Sequence, residues 1–140
     1  MTAQPATARF TLVISGAPYT SQAPQSALRF AEAVLSAGHA IERVFLYGDG
    51  VHLASSYAAP PSDEPDWPEM WAEFLQQHRI AATCCVASAL RRGLLDHTEA
   101  RRYQRPGVNV RSCYTVAGLG DWLEAEQAAD RTLYFKDGGG

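Results

Sequence analysis

Residues 10–47, FTLVISGAPYTSQAPQSALRFAEAVLSAGHAIERVFLY, decide the fold. Phe10–Ser15 is a short apolar, β-branched run that stops at Gly16, the pattern of a strand buried on both faces. From Gln22 onward Ala27, Phe30, Ala31 and Val34 recur at spacings of three and four, and Gly38 stands where a helix stops. Ile41–Tyr47 is a second apolar run, closed by the turn-like Gly48, Asp49 and Gly50. Strand, helix, strand in this order forms a right-handed crossover with its two strands parallel.

The same alternation continues outward. Residues 55–66 hold three of the eight prolines and read as a loop, after which Trp67, Met70, Trp71, Phe74 and Leu75 fall on one helical stripe facing the sheet. Ile80–Val86 is a third strand, followed by a short helix from Ala87 to Arg92 that Gly93 ends. Asp96 with Glu99 three residues on is a capping box opening another short helix, closed by Arg105, Pro106 and Gly107. Val110–Val116 reads as a fourth strand. Gly118 to Gly120 lead into a helix carrying Leu119, Trp122, Leu123 and Ala129, and Thr132–Phe135 is a last short strand. The prediction is an α/β, three-layer, doubly wound domain over residues 9–136 with about five mostly parallel strands. Residues 1–8 are expected to be a loose extension and residues 137–140 a tail.

Composition narrows the function classes. The 140 residues are 46% apolar and 19% charged, with a net charge of −3. That suits one globular domain with its own core. Twelve basic residues, eleven of them Arg, stand against fifteen acidic ones, with no Lys-rich run, so direct nucleic-acid binding is not favoured. No window resembles a membrane span, and Met1 to Ala8 lacks the features of a signal peptide, so the expectation is a cytoplasmic protein without a membrane partner. Three cysteines are too few for a secreted disulfide framework. Cys84 and Cys85 are adjacent, about 3.8 Å apart at Cα, closer than the roughly 4.4 Å at which disulfides begin. All three read as thiols.

In an open parallel sheet, sites form beyond the carboxyl ends of the strands. Here that edge gathers Gly16–Tyr19, Gly48–Val51, Cys85 and the Gly118–Gly120 loop. Cysteine is the strong nucleophile of this set. Cys85 falls at a strand-to-helix junction, where unpaired backbone N–H groups favour a thiolate, with Arg91 and Arg92 in a supporting role at most. The plainer reading is that Cys84 and Cys85 are small hydrophobes filling a central strand. Adjacent strand residues point to opposite faces, so the two sulfurs do not act as a pair. Cys113, inside the fourth strand, reads as core or interface. No C-x-x-C exists and the four histidines are scattered at 39, 52, 78 and 97, which argues against a zinc site. G-x-x-x-x-G-K-[ST], G-x-G-x-x-G and G-x-S-x-G are all absent. A nucleotide or flavin at the Gly16–Tyr19 and Gly48–Val51 edge therefore lacks a phosphate-cradling motif.

The segments GAPYTSQAPQSALRFAEAVLSAGH, IERVFLYGDGV, CVASALRRGLLD from Cys85 to Asp96 and AGLGDWLEA from Ala117 to Ala125 resemble the TusD/DsrE family of sulfur-relay proteins. The likeness runs from Arg9 to Phe135, and Cys followed by V-A-x-A-x-R-R-G is its most specific mark. Ala117 stands where the family pattern has a serine, and Cys84 and Cys113 lie outside the pattern. The resemblance implies a sulfurtransferase subunit whose catalytic residue is Cys85, carrying sulfur as a persulfide without metal or organic cofactor. It also implies TusC-like and TusB-like paralogous subunits in a heterohexamer, a TusA-like sulfur donor and a TusE-like acceptor. The pathway implied is 2-thiolation of the tRNA wobble uridine. Alternatives are a DsrE-type subunit of dissimilatory sulfur oxidation or a non-catalytic interaction subunit.

Overall fold

Five parallel strands run side by side in the order β4-β3-β2-β1-β5 in the computed structural model, which describes residues 7–137. The strands are β1 Arg9–Ile14, β2 Ala40–Leu46, β3 Ala82–Cys85, β4 Thr115–Ala117 and β5 Arg131–Phe135. The helices are α1 Ala23–Ser36, α2 Trp67–His78, α3 Val86–Arg91, α4 His97–Arg102 and α5 Leu119–Ala128, with a 3₁₀ helix over Gly48–Ala54. The loose extension expected over residues 1–8 and the tail over 137–140 fall largely outside the described residues. Among the described residues no helix is long and apolar enough to cross a membrane.

The strand order dictates the layers. From β1 through β2 and β3 to β4 the chain steps in one direction across the sheet, and right-handed crossovers then put the intervening helices on one face. From β4 the chain runs back past β3, β2 and β1 to β5, and the same handedness puts α5 on the opposite face.

Side-chain alternation gives each face its own character. Leu12, Ile14, Val44, Leu46, Ala82 and Cys84 form the main core with Ala27, Leu28, Ala31 and Val34 of α1 and Trp71, Phe74 and Leu75 of α2. Trp71 is fully buried, and its indole N–H donates to the Pro24 carbonyl at 2.8 Å, tying α2 to α1. On the other face Val13, Phe45 and Cys85 form a small separate cluster against which Trp122 of α5 packs. The three-layer expectation holds, with one layer reduced, among the described residues, to a single helix.

Local signals explain the element boundaries. Pro24 occupies the first turn of α1, and the Asp66 side chain caps α2 by accepting from Glu69 N–H at 3.1 Å. Asp96 does the same for α4 from Glu99 N–H at 2.9 Å, the cap that the sequence predicts.

The fourth strand is shorter than predicted, covering Thr115–Ala117 and not Val110–Val116. Val110 makes a single antiparallel bridge with Ser55, and Arg111 N–H donates to the Ala54 carbonyl at 2.8 Å. The Arg111 guanidinium binds the Ser55 carbonyl and Glu69. These bonds hold residues 110–111 to the exit of the 3₁₀ helix, so Cys113 lies in a turn rather than a strand. Met70 is also displaced from expectation. It is exposed at a groove between α1 and α2 while its stripe-mate Trp71 is core.

Candidate functional site

β3 ends at Cys85 and pairs there with Ala117, the last residue of β4. Beyond this pair the chain leaves β3 into α3 on the main-core side, and leaves β4 through Gly118 into α5 on the other side. Cys85 therefore stands at the topological switch point, where neighbouring strands send their connections to opposite faces and open sheets form their crevices.

Three contacts shape the carboxyl edge around it. Ser88 of α3 is buried, and its hydroxyl accepts from Gly48 N–H at 3.0 Å. Gly48 has φ +55°, a conformation that favours glycine, and a Cβ on Gly50 would lie 2.0 Å from the Ile14 carbonyl oxygen. The turn after β2 can thus lie tightly against the ends of β1 and α3. Arg92 bridges the same elements by donating to Asp49 at 2.8 Å and to the Ser88 carbonyl at 3.0 Å. Its charge is directed at Asp49, and Arg91 is exposed on α3.

The two vicinal thiols separate as alternation requires. Cys84 points into the main core and is completely buried; desolvation, with smaller contributions from Cys85 and Asp96, pushes its pKa up to about 12. Cys85 points to the α5 face, but it is not open at the edge. It is only 3% exposed within the cluster of Val13, Phe45 and Trp122. Cys113 is half-buried in its turn, and burial raises its thiol as well.

A polar cluster on the α5 face had no motif to announce it. Arg43 of β2 donates to the Thr83 hydroxyl at 2.8 Å, the Thr83 hydroxyl bonds the Asp121 carboxylate, and Arg43 lies 3.1 Å from Asp121. The available signals are an Arg inside the apolar run IERVFLY and a Thr two residues before Cys85, hence on the same face. Alongside, a cavity of about 420 Å³ is lined by Val13, Ser15, Phe45, Tyr47, Leu119 and Trp122, with Tyr134 and Lys136 at its β5 side. Among the described residues, no group of three or more His, Cys, Asp or Glu side chains is arranged to hold a metal ion.

The comparisons with known proteins agree along almost the whole chain. The family model described as DsrE/DsrF-like matches residues 8–135. A Sulfurtransferase TusD homolog of Pseudomonas aeruginosa is 44% identical over 127 residues, covering 91% of this chain and 96% of its own. Sulfurtransferase TusD of Salmonella typhi is 41% identical over 127 residues, and that of Cronobacter sakazakii 42%, each covering 91% of this chain and 99% of its own. The crystal structure of the ychN protein from E. coli superposes with a TM-score of 0.72 at 21% identity, covering 91% of this chain and 99% of that one, and supports the fold. With a five-stranded parallel sheet, a family match across all five strands and relatives above 40% identity, the chain belongs to the DsrE/DsrF-like family.

Proposed function

We propose that this chain is a sulfurtransferase subunit of a sulfur relay that carries sulfur on Cys85 as a persulfide and passes it to an acceptor protein. The sulfurtransferase activity follows the names of its TusD relatives, which align with nine-tenths of the chain. The observation that carries the assignment to Cys85 is its position at the switch point between β3 and β4. Cys84 is unsuited to the task, because a thiol held protonated in the core is a poor nucleophile.

The chemistry balances without an added oxidant or reductant. The Cys85 thiolate attacks the outer sulfur of a donor persulfide, R–S–SH. The donor S–S bond breaks as the Cys85 S–S bond forms, and the donor leaves as the thiolate R–S⁻. An acceptor thiolate then takes the outer sulfur in the same way, returning Cys85 to its thiolate. Cys85 needs only thiolate character and access for both steps.

The resemblance to the family supplies the finer reading. The donor is TusA-like and the acceptor TusE-like, TusC-like and TusB-like subunits stand beside this chain in a heterohexamer, and the cytoplasmic relay ends in 2-thiolation of tRNA wobble uridine. The TusD names of the relatives favour this branch over sulfur oxidation. Incubation with a persulfide donor followed by intact-mass measurement is expected to show one added sulfur in wild type and in Cys84→Ala, and none in Cys85→Ala. Sulfur retained by Cys85→Ala overturns the assignment. Equal relay activity of Cys85→Ser and wild type in a reconstituted assay would make the chain an interaction subunit.

A further inference from the structure

A thiol that must meet two reaction partners is 3% exposed, so something over it has to move. Of the groups around Cys85, Val13 and Phe45 sit within β1 and β2, where each strand is paired on both sides. Trp122 sits on α5, whose sole buried residue is Ala125, whereas α1 buries six. The N-cap of α5 is Gly118, which offers no side-chain hydrogen bond, and Gly120 follows in the first turn. The bonds holding α5 to the sheet are few and polar. They are Asp121 to Thr83 and Arg43, the Thr11 hydroxyl donating to the Ala125 carbonyl at 2.8 Å, and the Tyr134 hydroxyl of β5 donating to the Glu126 carboxylate at 2.6 Å. The Trp122 indole has two roles at once, since it packs on the Cys85 cluster and also lines the 420 Å³ cavity.

We propose that Trp122 is the gate of Cys85, a partition between the thiol and this cavity, and that thiol-reactive partners reach Cys85 from the cavity when the indole moves aside. This rests on the reading of Cys85 as the sulfur carrier. Asp121, the neighbour of Trp122 in sequence, is the positioning residue that holds the gate closed through Arg43 and Thr83. A closed gate protects the loaded site. Any small thiolate that attacks the inner sulfur of a Cys85 persulfide expels hydrosulfide and wastes the cargo, and an apolar cover of indole, Val13 and Phe45 excludes such anions.

The test is the rate of Cys85 alkylation by iodoacetamide in the native chain, read by peptide mass and divided by the rate at Cys84. Cys84 reports opening of the whole sheet, so the ratio removes any general loss of stability. Trp122→Ala is expected to raise the ratio at least tenfold, Asp121→Asn several-fold, and Trp122→Phe no more than twofold. Leu119→Trp, on an exposed cavity wall, is expected to lower it several-fold by narrowing the approach. An unchanged ratio in Trp122→Ala, or in Leu119→Trp, overturns the gate. Alkylation needs no sulfur donor, so these results stand apart from the loading assay. A working gate on a Cys85 that never loads sulfur would overturn the carrier reading alone.

Discussion

At the scale of the residue, one peptide bond separates two cysteines of opposite fate. Cys84 and Cys85 share a strand, yet one belongs to a core of aliphatic side chains and the other to the face covered by α5. Cys84 keeps its proton up to about 12 when folded and releases it near the ordinary 9.0 when unfolded. Between those values the unfolded chain binds fewer protons, so stability falls as pH rises; below 9 both states hold the proton and Cys84 gives no slope. Urea titrations from pH 8 to 11 are expected to show this loss in wild type, reaching about 3 kcal/mol by pH 11. Cys84→Ala should be less stable at pH 8 and lose correspondingly less on going to pH 11, and parallel pH curves would refute the assignment. Tyr114 is the second unusual residue, with a buried hydroxyl that has no hydrogen-bond partner among the described residues. Since an unpaired buried hydroxyl costs about 1–3 kcal/mol, Tyr114→Phe is expected to leave the urea midpoint unchanged or raise it. A fall would mean the hydroxyl is satisfied after all.

At the scale of the element, the carboxyl edge is built by a helix and a turn that interlock. Ser88 lies in the first of the two unspecified positions of V-A-x-A-x-R-R-G, and its hydroxyl receives Gly48 N–H. Ser88→Ala removes that acceptor and is expected to cost about 1 kcal/mol in urea unfolding, with faster hydrogen exchange at Gly48. Gly50→Ala is a harsher test of the same corner, because the new methyl would press on the backbone at Ile14. An expected cost of about 3 kcal/mol, measured by the same unfolding curve, distinguishes it from an ordinary surface glycine. Thermal or urea curves matching wild type would show that this turn has room to relax. The shortened β4 belongs to this scale too. Val110 to Val116 carries the composition of a strand, but Arg111 finds partners at Ala54, Ser55 and Glu69, and these long-range bonds win over local propensity.

At the scale of the whole molecule, the sheet is covered unequally, heavily by α1 and α2 on one face and, among the described residues, by α5 alone on the other. Native-state hydrogen exchange is expected to find β1 and β2 opening only with global unfolding and α5 opening well below it. Equal protection in α5 and β1 would contradict that order. The sequence alone specified the strands β1, β2, β3 and β5, the helices α1 to α5, the parallel class and the nucleophile to suspect, because apolar periodicity, caps and vicinal cysteines are local signals that survive in one dimension. It also carried the resemblance that implies sulfur transfer. Only the tertiary structure decided the rest. The return of β5 to the far side of β1 put α5 on its own face, and that single crossover brought Asp121 to Arg43 and Thr83 and Trp122 over the Cys85 cluster. None of these pairs is near in sequence. Their meeting depends on strand order and crossover hand, which fix which face each side chain shares, whereas periodicity shows only that an element has faces.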